Sequence, residues 1–442
     1  MSTGYLATVG FIMIILIMVL LLTQKVTAMF AFAVIPIIGG LIVGMSPTDI
    51  GSSVQYGLGL TTSVALVMLF ALPYFLLLAD TGFFNEIVRK VLRHVRITPP
   101  LLICLTLIIS WIVGLDASVT SQYIIVMPLL YPFYKKFKIS PIILMFFTTM
   151  GIVMDFDLPW TARTLRAVSL VPKVQNGPTA LFGKILPVQV VFFILLLVIA
   201  YMVGLYVQKK QHIIVAKTTK KERIALANEV KDDQELTRPK LFWINVILTL
   251  IIIVCMVAFP TFPQYYLFAI GIVIAFMINY PDQKLQNKLW KKYAKSMVPV
   301  MPTILLSGVV VGIMTKSGMM KSMVNVLLRI LPKSVGPYVY IIIALISPLM
   351  FLFTNDTWYF VLMPIVMSLE TAYGVSEMVV IATLFMNMGA LLSPIAQPQI
   401  YLGPSSVADS FTVPDYIKKS FLPIWLLNIV WVLLGLLLGA FR

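Results

Sequence analysis

Charged residues are scarce in this sequence of 442 residues. Asp, Glu, Lys and Arg together make up 11% of it, whereas apolar residues make up 60%. In soluble domains about a quarter of the residues are charged. With a mean hydropathy of +0.99, the composition excludes an ordinary soluble domain. It indicates an all-α polytopic membrane protein.

Cysteine and histidine are nearly absent, with two of each. Cys104 and Cys255 lie inside apolar runs, so we expect no disulfide framework. His94 and His212 lie in basic loops and lack metal-ligand spacing. The sequence also has no Walker A pattern, no Ser/His dyad and no appended catalytic domain. We therefore expect neither an enzyme nor an ATP-driven pump, and no covalently bound cofactor.

Most of the Lys and Arg residues behind the formal charge of +16 cluster in loops between apolar segments. This pattern is the positive-inside signature of a bacterial cytoplasmic membrane protein, so the expected environment is a lipid bilayer and no nucleic-acid partner is expected. The first apolar segment lacks a basic start and a cleavage site, and we interpret it as a retained span. The basic clusters are Lys25, 89–96, 135–138, 208–240, 284–295 and Lys418–Lys419.

Ten apolar segments are long enough to span a bilayer. They are residues 5–22, 27–45, 61–79, 141–172, 184–207, 241–258, 264–280, 297–315, 377–408 and 421–440. Two further stretches, 99–134 and 336–370, are interrupted at their centres by polar residues. Basic clusters flank the first stretch on both sides, which places both of its ends on the cytoplasmic face. We therefore predict two re-entrant hairpins.

The sequence repeats itself at one constant offset. Thr81-Gly82 maps onto Ser317-Gly318, and the hairpin tip at 118–121 maps onto 354–357. Residues 1–208 and 241–442 form the two repeats, and 209–240 form a cytoplasmic linker. Five spans plus one hairpin per repeat make the second repeat inverted relative to the first, an arrangement typical of secondary transporters. The segments 82–97 and 318–333 are amphipathic and are expected to lie along opposite membrane faces.

Polar residues inside the membrane mark the candidate site, because unpaired polar groups there are costly. They lie at the hairpin tips and in two spans broken by proline, 141–172 and 377–408. The candidate substrate-binding residues are Ser118, Thr120, Ser121, Thr161, Arg163, Thr164, Arg166, Thr354, Asn355, Thr357, Ser393, Gln397 and Gln399. The candidates for binding a co-transported cation or carrying a proton are Asp116, Asp155, Asp157 and Asp356.

Structural alternatives stay open for the charged residues of this set. Arg163 or Arg166 could form a bidentate pair with a carboxylate substrate, or could pair internally with Asp155 or Asp157. Asp116 could cap a helix of the first hairpin, and Asp356 could likewise be a cap.

Four segments resemble the citrate–metal:proton symporter (CitMHS) family. They are LDASVTSQYIIVMPLLYPFYKKFKISPIIL (115–144), MDFDLPWTARTLRA (154–167), FLFTNDTWYFVLMPIV (351–366) and ALLSPIAQPQIYL (390–402). The resemblance preserves motif order over most of the chain. It implies the ion transporter superfamily fold, with a scaffold domain, a transport domain carrying both hairpins, homodimers and elevator-type alternating access. It also implies proton-coupled uptake of citrate, often as a divalent-metal complex.

The first hairpin diverges from the family motif L-D-G-D-G-[ST]-T-T. Asp116 matches, but Ser118 replaces the second acidic residue, and Ala117 and Val119 replace both glycines. In the second hairpin Asp356 matches the family aspartate. If a metal–substrate complex is carried, Asp116 and Asp356 are the candidate ligands for Mg²⁺ or Ca²⁺.

The residues and the resemblance together predict a proton-coupled symporter for a small di- or tricarboxylate of citrate type, with Na⁺ as the alternative coupling ion. A second reading keeps the fold but carries a monocarboxylate such as gluconate or lactate. A third is a cation/proton antiporter.

Overall fold

The computed structural model describes most of the chain, and every regular element in the described part is helical. The described residues are 2–23, 25–94, 98–117, 119–210, 224, 227–228, 233–259, 262–298, 301–330, 332, 334–351, 353, 355–394, 396–407 and 410–442.

The described part of the first half contains ten α-helices. They are α1 Thr3–Leu22, α2 Ala28–Ile42, α3 Pro47–Asp80, α4 Phe83–His94, α5 Pro99–Gly114, α6 Val119–Ser121, α7 Met127–Lys136, α8 Pro141–Val153, α9 Ala162–Val168 and α10 Gly177–Lys210. A π-helix, Gln122–Val126, joins α6 to α7.

The described part of the second half contains ten further α-helices. They are α11 Phe242–Ala258, α12 Gln264–Asn279, α13 Gln283–Met297, α14 Met301–Lys316, α15 Met319–Ile330, α16 Val339–Ile346, α17 Met363–Ala372, α18 Glu377–Leu384, α19 Leu402–Ser405 and α20 Val413–Leu437. Short 3₁₀ helices lie at Pro239–Leu241, Gly336–Tyr338, Ser347–Met350, Met388–Leu392 and Pro398–Tyr401, and a π-helix at Thr357–Leu362.

Five helices in the described ranges are long and apolar enough to cross a bilayer unaided. They are Thr3–Leu21, Pro47–Asp80, Gly177–Lys210, Pro239–Met256 and Val413–Leu437. A sixth span is counted if α14 and α15, which meet at a 70° bend, are taken together. Such a bend directs α15 away from the axis of α14.

The spans predicted at 27–45 and 264–280 are corrected to shorter helices. Helix α2 has 15 residues and α12 has 16. At 1.5 Å per residue these helices extend about 22–24 Å, less than a hydrocarbon core of about 30 Å. The reason is local for α2, which begins at the Thr27 N-cap and is followed closely by Gly44 at φ 73°. The predicted spans 141–172 and 377–408 are broken, as expected from their prolines.

The bounds of many elements recur at the sequence offset that relates Thr81 to Ser317. Helix α4 (Phe83–His94) corresponds to α15 (Met319–Ile330), and α7 (Met127–Lys136) corresponds to α17 (Met363–Ala372). Packing follows the same relation, because α12 packs on α3 while α2, the counterpart of α12, packs on α14. An internal two-fold relation between the halves would produce this exchange of contacts.

Two glycines at equivalent positions turn the chain out of a span. Gly82 follows α3 with φ 78°, and Gly318 follows α14 with φ 79°. A side chain in this left-handed conformation costs about 1–2 kcal/mol, which glycine avoids. The turns lead directly into the amphipathic helices α4 and α15, so both junctions are built in the same way.

Helices α3 and α14 cross at a small-residue contact that joins the two halves. Gly57 and Gly308 approach so closely that a Cβ on either would overlap the backbone of the other. The Thr61 hydroxyl donates a hydrogen bond to the Leu305 carbonyl at 3.1 Å beside this crossing. The halves therefore meet backbone to backbone near the middle of α3.

Two pairs of packed helices surround the polar interruptions at 99–134 and 336–370, and each pair is called a hairpin below. In hairpin one, residues 99–136, the Thr106 and Tyr134 hydroxyls lie 2.8 Å apart and the Gln122 amide donates to the Ser110 carbonyl at 2.9 Å. Residue numbers fall along one arm as they rise along the other, so the arms are antiparallel. In hairpin two, residues 336–372, α16 packs on α17, and the Tyr340 backbone amide donates to Glu370 Oε1 at 3.0 Å.

Candidate functional site

A cavity of about 270 Å³ lies where the turn of hairpin one meets two helix breaks. The first break, residues 154–161, separates α8 from α9, and the second break, residues 393–397, precedes the 3₁₀ helix Pro398–Tyr401. The polar side chains that line it are Gln122, Asp155, Thr161, Arg163, Arg166, Asn355, Gln397 and Gln399. Both halves of the chain therefore contribute to one site.

Asp155 is buried at the first break and is held on one side only. The Gln122 amide donates to its Oδ2 at 2.7 Å. Its other oxygen, Oδ1, is buried and has no hydrogen-bond partner in the part of the chain that the structure describes. Gly114 lies directly against the carboxylate, and a Cβ there would overlap both Asp155 Oδ2 and the Gln122 amide. The end of α5 must be glycine for this carboxylate to fit.

Arg163 presents an unpaired guanidinium to the same cavity. The residue is only 6% exposed, and its guanidinium carbon lies 3.5 Å from the centre of the Phe156 ring. Neither terminal nitrogen has a hydrogen-bond partner among the described residues. The ring face gives some cation–π stabilisation, and the Tyr359 side chain is a further polar neighbour of the guanidinium. The site therefore holds a buried cation without a protein counter-charge among the described residues.

Arg166 differs from Arg163 because it has an acidic partner. Its Nε donates to Asp356 Oδ1 at 2.9 Å, and the two side chains are 12% and 21% exposed. The sequence left open an ion pair of this arginine with Asp155 or Asp157. The structure forms neither of them among the described residues, and Arg166 pairs instead with Asp356 of the second half. Asp356 lies in the first turn of the helical arm of hairpin two that leads to α17.

Two threonines brace the first break rather than pointing freely into the cavity. The Thr161 hydroxyl donates to the Phe156 carbonyl at 2.7 Å, and the Thr164 hydroxyl donates to the same carbonyl at 3.1 Å. Thr161 is also the N-cap of α9. Thr161 lines the cavity, whereas Thr164 is not among its described lining residues. Their hydroxyls satisfy a carbonyl that the helix break leaves without a helical partner.

The hairpin turns are tied to the breaks by hydrogen bonds. The Trp160 indole donates to the Leu115 carbonyl at 3.1 Å in the first half, and the Asn355 amide donates to the Ala396 carbonyl at 2.9 Å in the second. Within the first turn, the Ser121 hydroxyl donates to Asp116 at 2.7 Å. Each turn is thereby held against the break that follows it.

The remaining predicted site residues lie elsewhere. The Ser393 hydroxyl accepts from the Ala396 amide and supports the second break. Asp157 is fully buried, and both of its carboxylate oxygens lack hydrogen-bond partners among the described residues. Ser118 and Thr354 lie outside the described residues. The predicted residues that are described but are not among the cavity lining are Asp116, Thr120, Ser121, Asp157, Thr164, Asp356, Thr357 and Ser393.

The π-helices connect each hairpin to its broken helix through equivalent residues. The Tyr123 hydroxyl lies 3.1 Å from the Thr149 hydroxyl, and the Tyr359 hydroxyl donates to the Phe385 carbonyl at 2.8 Å. Each contact lies within one repeat, and the residues of the first contact occupy the same positions in their repeat as those of the second. The first π-helix also carries Gln122, which lines the cavity.

Sequence reasoning missed three residues that shape the cavity: Gly114, Gln122 and Phe156. A signal existed for Gln122, an amide within an apolar helix next to the hairpin tip. Gly114 ends an uncharged run, which marks a turn but not a neighbouring carboxylate. Phe156 is one of 27 phenylalanines, and nothing in the sequence distinguishes it.

No group of three or more His, Cys, Asp or Glu side chains in the described ranges is arranged to hold a metal ion. The two predicted metal ligands are separately engaged, Asp116 with Ser121 and Asp356 with Arg166.

Known proteins share this architecture. The fold is similar to the crystal structure of the Alcanivorax borkumensis YdaH transporter, with a TM-score of 0.52, 11% identity, and coverage of 89% of this chain and 87% of that one. The all-helical apolar fold and this likeness define a polytopic membrane protein with a transporter fold.

Sequence comparison then gives the family. Residues 5–270 match the protein family described as GntP family permease. The chain belongs to this family. A Bacillus subtilis relative described as a Mg(2+)/citrate complex secondary transporter is 30% identical over 98% of this chain and 99% of its own length. A second B. subtilis relative, described as a citrate transporter, is 28% identical over 90% of this chain and 91% of its own length.

These relatives confirm the family relationship that the motifs indicated. The divergence of the first hairpin motif stays a prediction.

Proposed function

We propose that this protein is a proton-coupled secondary transporter that carries a small di- or tricarboxylate of citrate type as a complex with Mg²⁺ or Ca²⁺. One observation supports this most strongly. The cavity contains an unpaired cation, Arg163, and an unpaired carboxylate oxygen, Asp155 Oδ1, which do not pair with each other. A ligand that carries both a carboxylate and a metal ion complements both groups.

The free energy of burying these groups supports a ligand of this kind. Leaving one charge of a buried pair without its partner costs about 3–5 kcal/mol. Arg163 offers a planar donor fork that suits a carboxylate. Asp155 Oδ1 offers the type of hard oxygen that Mg²⁺ and Ca²⁺ prefer. The described residues supply no multidentate metal cluster, and we expect most ligands of the ion to come from the substrate itself.

Size is consistent with a small ligand. Ligand pockets commonly measure about 300–1,000 Å³, and this cavity of about 270 Å³ lies just below that range. The relative described as a Mg(2+)/citrate complex transporter supports the same substrate class.

Asp157 is our candidate for carrying the coupled proton. It is fully buried, and its two carboxylate oxygens lack hydrogen-bond partners in the described ranges. The neighbouring Gln189 amide donates to the Met154 carbonyl and also interacts with the Asp157 carboxylate. A charged carboxylate in such a position is strongly disfavoured unless paired. Asp157 lies two residues from Asp155 but is not among the described lining of the cavity, so a proton there is near the substrate without contacting it.

Alternating access is proposed from the repeated architecture. The two halves, residues 1–208 and 241–442, would be inverted relative to each other, with hairpins one and two re-entrant from opposite faces of the cytoplasmic membrane. The hydrogen bonds between each hairpin and its break favour movement of these elements as one body, as in an elevator mechanism. A homodimer is part of the same proposal.

A monocarboxylate such as gluconate is the second candidate. Four amide side chains line the cavity, Gln122, Asn355, Gln397 and Gln399. Amides suit a ligand with several hydroxyls, and a single free guanidinium suits one carboxylate. The family match is compatible with this reading.

The test is calorimetric titration of the purified protein with citrate, in Mg²⁺ or in EDTA, and with gluconate. We expect Arg163→Gln to weaken carboxylate binding about 10- to 100-fold, the loss of a charge-assisted hydrogen bond. Asp155→Asn should weaken mainly the metal-dependent binding. Arg329→Gln, on the exposed face of α15, is the matched control and should bind as the wild type does.

Outcomes separate the candidates. Gluconate binding that is independent of Mg²⁺, with weak citrate binding, favours the monocarboxylate. Unchanged citrate affinity in Arg163→Gln contradicts the assignment of Arg163 to the substrate.

A further inference from the structure

The two arginines of the cavity are not equivalent. Arg163 has no partner for its terminal nitrogens among the described residues, whereas Arg166 is paired with Asp356. Asp356 comes from hairpin two in the second half of the chain, 190 residues away in sequence. Asp356, from the second half, therefore determines whether the positive charge of Arg166, from the first half, is free to bind a ligand.

The pairing leaves one free guanidinium in the cavity. A guanidinium binds one carboxylate in bidentate fashion. A metal-free tricarboxylate would bring further carboxylates that find no cation, and burying an unpaired charge is strongly unfavourable. In a complex with a divalent ion, the metal neutralises two of the three charges. The remaining carboxylate charge of the complex faces the free guanidinium of Arg163, while Asp155 faces the metal ion.

We propose, on the basis of the proposed function, that Asp356 is a specificity-determining residue. By holding Arg166 it limits the cavity to ligands with one uncompensated carboxylate, and it thereby selects the metal complex over the metal-free polycarboxylate. Removing the Asp356 charge releases Arg166 to bind a second carboxylate. The selectivity then shifts towards the metal-free anion.

The geometry of the pair suits this role. A single hydrogen bond from Nε to Oδ1 joins the two side chains, instead of the two parallel bonds of a bidentate pair. Both side chains keep some exposure, 12% and 21%, so Asp356 can be changed without opening a buried core. Arg166 itself lines the cavity, and a released guanidinium would need no movement of the backbone to reach a ligand.

A direct role of Asp356 as a metal ligand makes the opposite prediction. If Asp356 bound the metal, its amide variant would lose affinity for the metal complex and gain none for the metal-free anion. If Asp356 only controls Arg166, the amide variant gains affinity for the metal-free anion.

The experiment measures citrate affinity in EDTA and in saturating Mg²⁺ for the wild type, Asp356→Asn and Asp356→Glu. Wild-type binding is measured first, because a wild type that binds no carboxylate contradicts the proposed function rather than this inference. Glu377→Gln is the matched control, since it removes one exposed carboxylate of the same half. Thermal unfolding establishes that each variant is folded.

We expect Asp356→Asn to shift the ratio of the two affinities about 10- to 100-fold towards metal-free citrate, the effect of one added charge-assisted hydrogen bond. Asp356→Glu, which keeps the charge, and Glu377→Gln should retain the wild-type ratio. A wild-type ratio in Asp356→Asn overturns the inference. So does loss of metal-complex binding without any gain for the metal-free anion, which would make Asp356 a metal ligand.

Discussion

Gly114 provides a sharp test of the geometry around Asp155, because the substitution Gly114→Ala adds a single methyl group. The added Cβ would occupy the space of Asp155 Oδ2 and of the Gln122 amide nitrogen. These two atoms form the 2.7 Å hydrogen bond that holds the carboxylate. The methyl group can be accommodated only if this bond breaks or the end of α5 shifts.

The expected loss of affinity follows from the cost of breaking this hydrogen bond or of shifting the end of α5. A hydrogen bond to a charged group contributes about 1.5–3 kcal/mol, and an added methylene in a packed site costs about 1–3 kcal/mol. We therefore expect Gly114→Ala to weaken binding of the metal–citrate complex about 10- to 100-fold. Metal-free carboxylate binding, which depends on Arg163, should change less.

The assay is the same calorimetric titration, accompanied by thermal unfolding in detergent. Gly51→Ala is the matched control, because Gly51 lies in helix α3 with open space around its Cα. That change should leave binding unaltered and stabilise the helix by up to about 1 kcal/mol. Wild-type affinity for the metal complex in Gly114→Ala would refute the placement of Asp155 in the site.

Two further predictions concern the coupling residue and the first turn. We expect Asp157→Asn to preserve carboxylate binding. In proteoliposomes it should abolish the stimulation of uptake by an inward proton gradient. Proton-stimulated uptake at the wild-type level would contradict the role of Asp157. We expect Ala117→Gly to leave thermal stability unchanged or to raise it by about 1 kcal/mol. The reason is that Ala117 has φ 62°, a left-handed conformation that glycine adopts without strain. A clear loss of stability would show that the Ala117 methyl group makes a needed contact.

The turns between the paired helices and the helix breaks each have a local cause in the sequence. Polar residues interrupt apolar runs at both tips, and prolines interrupt both broken spans, so the chain cannot continue as a simple helix there. The constant offset between the repeats was readable from matched pairs such as Thr81-Gly82 and Ser317-Gly318. The structure repeats its element bounds at the same offset.

The pairing of charges within the site could not be predicted. Arg163 and Arg166 lie in the same short segment, and nothing local distinguishes the free arginine from the paired one. The partner of Arg166 is 190 residues away and approaches only when both halves pack together. The π-helices were also missed, since the extra residue per turn leaves no mark in the pattern of apolar residues.

A structure of the protein determined with citrate and Mg²⁺ tests the central claim most directly. We predict a citrate carboxylate within hydrogen-bond distance of the Arg163 terminal nitrogens, and a metal ion about 2.0–2.1 Å from Asp155 Oδ1, the usual length for a magnesium–oxygen bond. Citrate bound elsewhere, with Arg163 still unpaired and no ion at Asp155, would contradict it.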